Sequence, residues 1–246
     1  MKKQMLYCEL AQYYDLLYVQ KDYAREAAKL KKLIAKYKQS KGNTLLDVAC
    51  GTGHHIKHLR DQFQCIGVDA NQSILNIAKR NVKDVAFVNV DMTTLNLGKT
   101  FDVITCLFSS IGYVKTLPKL RKTIRNFAKH LKTGGIVLIE PWFTKATFHA
   151  GSPDVTTYDG KDLKIARLAV SQVKEDISVI DMHYLIAERG KAVKHFVDRH
   201  EMGLFETDQT LQFMKEAGLN ARFLRNGLLR DRGIFVGVNT RSRKVC

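Results

Sequence analysis

The sequence lacks any apolar run long enough to cross a membrane. A membrane-spanning helix needs roughly 18 or more uncharged apolar residues, and no segment of this chain offers them. The basic start, Met1-Lys2-Lys3-Gln4, leads to Glu9, Gln12 and Asp15 rather than to the apolar core of a signal peptide. We therefore expect a cytoplasmic protein that does not act at a membrane.

Paired cysteines are also missing. The five cysteines are Cys8, Cys50, Cys65, Cys106 and Cys246. None of them forms a CxxC pair, which argues against a disulfide framework and against a zinc site. His54, His55 and His58 lie close together, but they have no cysteine or carboxylate beside them to complete a metal site. We expect no bound metal.

Acidic residues are in deficit. The chain has 40 Lys and Arg against 24 Asp and Glu, a formal net charge of +16. Residues 1–42 and residues 222–246 each hold a basic surplus of six. Such a field attracts nucleic acid, an anionic membrane surface or a phosphorylated small substrate. A lysine-rich surface also serves solubility alone, so the charge does not choose a function.

Apolar periodicity in the first 150 residues predicts strands that alternate with helices. Residues 21–39 carry one apolar helical stripe opposite a lysine-rich face. The predicted strands are 44–49, 65–68, 85–90, 101–107 and 136–139. The helix that begins near Pro118 is expected to stop at Gly134-Gly135. Strands and helices alternating at this spacing predict an α/β fold, with a doubly wound parallel sheet covered on both faces.

The pattern changes after about residue 150. Residues 163–205 form runs of mixed polar and apolar character, which we interpret as antiparallel strands joined by turns near residues 175 and 190. A helix from Thr207 and two strands would then complete the first sheet. We therefore expect a cofactor-binding core with an N-terminal helical cap at 1–150, an antiparallel β insert at 151–206, and the completion of the core sheet at 207–246.

The first predicted strand ends in a glycine loop, Asp47-Val-Ala-Cys-Gly-Thr-Gly53. Gly51 and Gly53 let the backbone approach a ligand and turn into the next helix. A dinucleotide fingerprint needs a small residue at the third position, where this chain has Ile56. The loop therefore suits a cofactor without a phosphate, whose amino-acid end lies over Asp47 and Ala49.

The next three strands also end in informative residues. In a parallel sheet, ligands bind outside the carboxyl ends of the strands. Asp69 can accept both ribose hydroxyls, and Asp91 can accept from an adenine amino group while Met92 lines the ring pocket. The fourth strand ends at Cys106, before a small polar loop. Each aspartate alone could be a helix cap or a turn residue, but together they predict S-adenosylmethionine, with its methyl group over that loop.

This series resembles the motifs of class I S-adenosylmethionine-dependent methyltransferases. More narrowly, the chain is similar to the sugar N,N-dimethyltransferases that finish nucleotide-linked amino-sugars such as desosamine and mycaminose. The matching stretches are Tyr14-Asp15, Lys21-Asp22-Tyr23, Leu45–Gly53, Val103–Cys106, Phe108–Gly112, Glu140-Pro141-Trp142, Leu204-Phe205 and Arg232–Gly237. The resemblance implies a Rossmann-like, mainly parallel, seven-stranded sheet with an antiparallel β insert that covers the substrate.

The resemblance also implies roles for particular residues. On the cofactor side, Tyr14 and Tyr23 would cap the methionine end and Ala70 would join Asp69 at the ribose. On the acceptor side, the implied residues are Ser109, Tyr113, Trp142 and Arg232. The family has histidine where this chain has Tyr113, which we take as the catalytic candidate, and a sugar-positioning tyrosine of the family aligns nearer Leu6 than Tyr7.

The chemistry favours a nitrogen acceptor. A neutral amine attacks a methyl sulfonium without a strong base, whereas an alcohol would want one. Tyrosine, with an ordinary pKa of about 10, is a poor general base at neutral pH, and no His–Asp pair stands at the predicted strand ends. Our leading hypothesis is N-methylation of a small, nucleotide-linked amino-sugar, with a homodimer left open.

Two rival functions remain. The basic surface could serve an RNA, DNA or protein methyltransferase, although the fourth strand lacks the Asn-Pro-Pro-Tyr type of loop that stacks a flipped base, and no Pro-Cys nucleophile follows it. A cofactor-binding sensor without enzymatic activity is the second rival. It would leave Tyr113, Trp142 and Arg232 far from the cofactor pocket.

Overall fold

The computed structural model describes residues 4–7, 9–229 and 231–241. Cys8, Cys246 and part of both basic terminal segments lie outside the described residues. Among the described residues, no helix combines the length and the apolar character that crossing a membrane would require.

Eleven strands in the described residues form two separate sheets. They are β1 (Thr44–Val48), β2 (Gln64–Asp69), β3 (Ala86–Asn89), β4 (Phe101–Cys106), β5 (Leu131–Ile139), β6 (Pro153–Asp159), β7 (Leu163–Lys174), β8 (Ile177–Glu188), β9 (Lys194–Gly203), β10 (Leu219–Leu224) and β11 (Ile234–Asn239). The larger sheet has the order β10-β11-β5-β4-β1-β2-β3. β1 to β5 run parallel, and β11 is antiparallel to both β5 and β10. The strand order reverses at β1, which is where a parallel sheet opens a crevice for ligands.

Helices cover both faces of this sheet. They are α1 (Tyr14–Leu17), α2 (Tyr23–Tyr37), α3 (His54–Leu59), α4 (Gln72–Asn81), α5 (Leu117–Lys129) and α6 (Thr207–Glu216). Because side chains alternate along a strand, Leu45 packs with α2 and α3 on one face and Leu46 with α5 and α6 on the other. α2 begins at its cap Asp22, whose carboxylate accepts from the Arg25 N–H at 2.8 Å. The doubly wound, mainly parallel architecture predicted from the sequence is confirmed.

The predicted end of α5 was wrong. The helix ends at Lys129, and β5 already begins at Leu131, so Gly134-Gly135 lies inside the strand. Gly134 has φ +74°, a left-handed conformation that costs glycine little. A Cβ on Gly135 would lie 2.9 Å from the Lys132 carbonyl oxygen. The two glycines lie where the pairing of β5 with β4 is irregular, and they do not cap α5.

The second sheet is an antiparallel meander in the order β6-β7-β8-β9. Part of its inner face packs on the N-terminal segment, where Ile165 and Tyr184 share a buried cluster with Leu10 and Tyr14. Another part meets the loops after β4 and β5: Ala169, Ile180 and Met202 pack against Tyr113 and Trp142. The predicted antiparallel insert is confirmed, and it lies beside the carboxyl ends of the parallel strands.

Candidate functional site

A cavity of about 640 Å³ opens at the carboxyl ends of β1 to β4. Nine residues predicted for the cofactor line it: Tyr14, Tyr23, Asp47, Ala49, Gly51, Asp69, Ala70, Asp91 and Met92. Tyr113 lines it as well. The strand ends therefore converge as the parallel topology requires.

Two other residues predicted for the cofactor do not line the cavity. Gly53 has φ +82°, and a Cβ there would face Val82 at 3.3 Å, so this glycine shapes the turn into α3. Cys106 is fully buried in the core cluster with Ile124 of α5. Its side chain packs on the face of the sheet that α5 covers. The assignment of these two residues to the cofactor remains a prediction from the sequence.

The glycine loop is shaped for close approach of a ligand. Ala49 and Gly51 have φ of +57° and +55°, in the left-handed region that favours glycine. A Cβ on Gly51 would meet nothing within 4 Å, so the backbone there faces open space. The Gly51 N–H donates to the Asp69 carboxylate at 3.1 Å, which ties the loop to the end of β2.

Asp47 is a buried carboxylate with one oxygen unpaired. It is 2 % exposed, and its Oδ1 accepts from the Thr105 hydroxyl at 2.7 Å. Oδ2 has no hydrogen-bond partner among the described residues. Burial raises the pKa of Asp47 to about 6. A cationic group in the cavity would both pair Oδ2 and favour the ionised carboxylate.

The two other aspartates differ in how they are held. Asp69 is almost buried and accepts from the backbone N–H groups of Gly51 and Asn71 at 3.1 and 3.0 Å. Burial raises its pKa despite these bonds. Asp91 uses Oδ1 to accept from the backbone N–H and the hydroxyl of Thr93, both at 2.7 Å. Asp91 therefore caps its own turn while lining the cavity.

Aromatic rings and a buried ion pair close the glycine-loop end of the cavity. The Tyr23 ring stacks on His54, with centroids 4.7 Å apart. His54 in turn lies 3.1 Å from Asp15, and Asp15 accepts from the Thr52 hydroxyl at 2.6 Å. Asp15 thus fastens α1 to the glycine loop. Behind these rings lies a buried group that the sequence did not predict: Lys21, Glu26 and His55, with Glu26 bonded to both of the others.

The loop after β4 is held in a strained conformation. Phe108 and Ser109 have φ of +51° and +61°, which is uncommon for consecutive residues other than glycine. The Glu140 carboxylate accepts from the Phe108 N–H at 2.6 Å, and the Ser109 hydroxyl donates to the Pro141 carbonyl at 2.7 Å. Residues directly after β5 therefore fix the loop. Glu140 is fully buried, and burial raises its pKa.

Three residues predicted for the acceptor form a cluster beside the cavity. The Arg232 guanidinium donates to the Ser109 hydroxyl oxygen at 2.8 Å and lies 4.7 Å from the centre of the Trp142 ring. Burial lowers the pKa of Arg232. The cluster does not line the cavity itself. A Cβ on Gly112 would be 3.2 Å from the Trp142 Cβ, so the cluster adjoins the loop that carries Tyr113.

Tyr113 belongs to a polar network that the sequence did not predict. Its hydroxyl lies 3.0 Å from the Tyr7 hydroxyl and 2.7 Å from Nδ1 of His200. Nε2 of His200 lies 3.0 Å from Asp198. Besides the His54–Asp15 pair at the glycine loop, β9 brings a second His–Asp pair to the site. The alternation Asp198-Arg-His200 on a strand, which puts both side chains on one face, was the available signal.

Leu6 and Tyr7, the two residues nearest to the family's sugar-positioning tyrosine, lie in different surroundings. Leu6 is 1 % exposed and packs in the apolar cluster under the antiparallel sheet. Tyr7 lines the cavity instead. The short 3-10 helix Met5–Tyr7 turns the two side chains to different sides.

Comparison with known proteins agrees with this geometry. Residues 45–135 match the family model described as a methyltransferase domain. The chain is 36 % identical, over 93 % of its length and 97 % of the relative, to dTDP-3-amino-3,4,6-trideoxy-alpha-D-glucopyranose N,N-dimethyltransferase of Streptomyces venezuelae. It is 34 % identical, over 94 % of its length and 91 % of the relative, to dTDP-3-amino-3,6-dideoxy-alpha-D-glucopyranose N,N-dimethyltransferase of Streptomyces fradiae.

Solved structures of sugar N-methyltransferases are also similar to this chain. The crystal structure of DesVI from Streptomyces venezuelae superposes with a TM-score of 0.87 at 34 % identity, covering 93 % of this chain and 98 % of that one. The sugar N-methyltransferase KedS8 from a Streptoalloteichus species gives 0.87 at 32 % identity, with 93 % of each chain covered. The S-adenosylmethionine-bound amino pentose methyltransferase CalS10 of Micromonospora echinaspora gives 0.81 at 26 % identity, covering 89 % of this chain and 92 % of that one.

Proposed function

We propose that this chain, which belongs to the family of S-adenosylmethionine-dependent amino-sugar N,N-dimethyltransferases, methylates the amino nitrogen of a nucleotide-linked sugar. The predictions of a methyltransferase and of its cofactor are confirmed. The observation that carries the acceptor proposal is the match over nearly the whole chain, antiparallel sheet included, to enzymes named for that reaction.

The cavity has features that fit S-adenosylmethionine. The unpaired Oδ2 of Asp47 can accept a hydrogen bond from the ammonium of the cofactor's methionine part. The open space at Gly51 can hold neighbouring atoms of the same part. When bound, the cofactor supplies a methyl group on a positively charged sulfur. We assign Tyr14, Tyr23 and Ala49 to the methionine end. Asp69 with Ala70 is assigned to the ribose, and Asp91 with Met92 to the adenine.

The acceptor is assigned to the other side of the loop after β4. Tyr113 would hydrogen-bond the amine, because this residue lines the cavity. Arg232, held by Ser109 and Trp142, would face a phosphate of the nucleotide through its remaining N–H donors.

Positioning accounts for most of the catalysis that such a site needs. A sulfonium is a good leaving group, so holding the amine in line with the methyl group and excluding water lowers the barrier. We propose that the three parts of the chain divide this work. Residues 1–150 bind the cofactor and cap it, 151–206 cover the acceptor, and 207–246 complete the sheet and supply Arg232.

The antiparallel sheet also supports a homodimer. Its outer face exposes an apolar patch formed by Val155, Leu168, Val170, Leu185 and Val197, which are 43 to 64 % exposed. Val155 is opposed to Leu168 on the neighbouring strand, and His183 lies between Leu168 and Val197 on the next two strands. We propose that a second copy covers the patch, because a twofold axis pairs identical patches.

The acceptor class can be tested with labelled S-adenosylmethionine and three separate pools: nucleotide-linked amino-sugars, simple amines, and RNA. We expect label in the first pool. Label in RNA alone would overturn the proposal and favour the nucleic-acid alternative suggested by the basic surface. No transfer to any pool, with cofactor still bound, would favour a sensor.

A further inference from the structure

Four side chains form a hydrogen-bonded row from the cavity into the antiparallel sheet. Tyr7 and Tyr113 line the cavity, with hydroxyl oxygens 3.0 Å apart. The Tyr113 hydroxyl is 2.7 Å from Nδ1 of His200, whose Nε2 is 3.0 Å from the Asp198 carboxylate. His200 and Asp198 are 1 % and 3 % exposed. The inner half of the row therefore has almost no contact with solvent, and its hydrogen bonds are made within the protein.

The inner end of the row is a carboxylate that only accepts hydrogen bonds. Burial opposes the charge on Asp198, but hydrogen bonds from His200 and from the backbone N–H groups of Leu6 and Met5 outweigh it and hold the pKa of Asp198 below its usual range. Nε2 of His200 must therefore carry a proton. A neutral imidazole meets this requirement, and burial disfavours the charged imidazolium. Nδ1 of the neutral ring then has a free lone pair.

The lone pair on Nδ1 sets the direction of the outer hydrogen bonds. Because Nδ1 accepts, the Tyr113 hydroxyl donates to it and points its proton away from the cavity. Burial raises the pKa of Tyr113, which keeps that proton on the phenol. Tyr7 can donate to one lone pair of the Tyr113 oxygen, and the other lone pair is left for a ligand. Toward the cavity, Tyr113 is then an acceptor only.

The direction of this hydrogen bond matters for an amine that attacks a methyl group. An amine that accepts a hydrogen bond does so with the lone pair that it needs for the attack. An amine that donates an N–H keeps its lone pair free, and the hydrogen bond also orients the nitrogen. Primary and secondary amines have an N–H to donate, whereas a neutral tertiary amine has none. A side chain that only accepts therefore suits both substrates of an N,N-dimethylation.

We propose that His200 is a positioning residue that makes Tyr113 accept, rather than donate, a hydrogen bond at the acceptor nitrogen. Asp198 fixes the tautomer of His200, and Nδ1 of His200 accepts the hydrogen bond of the Tyr113 hydroxyl. The Tyr113 oxygen then receives an N–H of the amine, and the nitrogen lone pair stays free for the methyl group. Each transfer consumes one cofactor molecule, so the two transfers use this arrangement one after the other, with cofactor exchange between them. The inference rests on the N-methylation proposed above.

Three variants of the whole protein test this role. His200→Leu removes the accepting nitrogen, so that the Tyr113 proton becomes free to bond the lone pair of the amine. His200→Gln restores both hydrogen bonds, because its amide offers an oxygen to Tyr113 and an N–H group to Asp198. His195→Leu is the matched control, since His195 lies on the outer face of the same strand, where it contacts His183.

Steady-state rates are measured with saturating S-adenosylmethionine and two separate acceptors, a nucleotide-linked amino-sugar and its N-monomethyl form. We expect His200→Leu to lower kcat by about tenfold or more for both acceptors, because the nitrogen lone pair is no longer free. KM should not rise, since the freed phenol proton still holds the nitrogen. His200→Gln should recover most of kcat, and His195→Leu should behave as the wild type does.

The split between kcat and KM separates a positioning role from a structural one. A structural defect would raise KM together with the fall in kcat, and glutamine would not repair it. That result, or an unchanged kcat in His200→Leu, would overturn the inference while leaving the proposed function intact. If the wild type methylates neither acceptor, the proposed function itself fails.

Nitrogen NMR of the wild-type protein reports the direction of the hydrogen bonds independently of activity, and it decides the question if His200→Leu does not fold. We expect a proton on Nε2 of His200 and none on Nδ1 at the pH of the assay. A proton on Nδ1, in the opposite tautomer or in the imidazolium, would contradict the inference, because Nδ1 would then donate to the Tyr113 oxygen.

Discussion

The Tyr113 hydroxyl lies 2.7 Å from Nδ1 of His200, although the two residues are 87 positions apart in the chain. Tyr113 follows β4 of the parallel sheet, whereas His200 lies on β9 of the antiparallel one. The antiparallel sheet therefore contributes side chains to the site and does more than cover it. Since Asp198 also accepts from the backbone of Met5 and Leu6, the same sheet holds the N-terminal segment over the cavity.

Gly51→Ala should weaken cofactor binding without unfolding the protein. Alanine in this left-handed conformation costs roughly 1–2 kcal/mol, and its Cβ would project into the open space where the ligand must lie. We expect cofactor affinity, measured by calorimetry, to fall by about tenfold or more, a free-energy loss of about 1.4 kcal/mol.

Gly98→Ala is the matched control for that variant. Gly98 has φ +62° and nothing within 4 Å of its Cβ position, but it does not line the cavity. Both variants should lose similar stability in thermal unfolding, and only Gly51→Ala should lose affinity. Equal affinities would show that the glycine loop does not contact the cofactor.

Cofactor affinity should increase as the pH rises through about 6. The pKa of Asp47 is raised by burial from 3.8 to about 6, so the folded protein holds this proton more tightly than the unfolded chain does. The stability that this gives is present below the ordinary pKa and is lost as the pH rises through the folded one. A bound ammonium reverses the balance, because it favours the carboxylate.

The variant Asp47→Asn isolates this effect. Calorimetric titrations between about pH 5 and pH 7 should show tightening in the wild type and a flatter profile in the variant. If the variant keeps the full pH dependence, another group is responsible for that dependence. Asp69 is such a group, because burial also raises its pKa.

Arg232→Ala should weaken the acceptor and spare the cofactor. The guanidinium is held between Ser109 and Trp142 outside the cofactor cavity, and a charged hydrogen bond contributes about 1.5–3 kcal/mol. We expect KM for the nucleotide-linked sugar to rise by about tenfold or more, with unchanged cofactor affinity. Arg225→Ala, at an exposed arginine just beyond β10, should change neither quantity. A fall in cofactor affinity alone would contradict the assignment.

Leu168→Lys should convert a dimer to a monomer. Leu168 is 48 % exposed within the apolar patch, and its backbone is central to the sheet, paired on both sides. A charge there would have to be desolvated in the interface. Light scattering should report half the mass of the wild type. Val19→Lys, at a site that is 61 % exposed and outside the apolar patch, is the control. A monomeric wild type would contradict the dimer proposal.

The sequence alone predicted the site residues that directly follow a strand of the parallel sheet. Asp47, Asp69 and Asp91 follow successive apolar runs, and parallel strands must bring their carboxyl ends to one edge. The position of the cavity therefore followed from local patterns. The family resemblance added Tyr14, Tyr23 and the cluster of Ser109, Trp142 and Arg232, which local patterns could not have connected.

The contacts of His200 could not be predicted in the same way. They depend on the register of β8 against β9 and on how the antiparallel sheet sits against the loop after β4, neither of which a single strand encodes. The burial of Cys106 depends on which strand residue faces the crevice. Gly134-Gly135 was misplaced because glycine marks both a helix end and an irregular strand.

The most direct test of the account is mass spectrometry of the product from one matched pair of acceptors. The purified protein would be given S-adenosylmethionine with a dTDP-linked 3-amino sugar, or with the same sugar carrying a hydroxyl in place of the amine. The account predicts that the amino sugar gains one and then two methyl groups and that the hydroxyl sugar gains none. Methylation of the hydroxyl sugar, or of neither sugar while the cofactor binds, would contradict it.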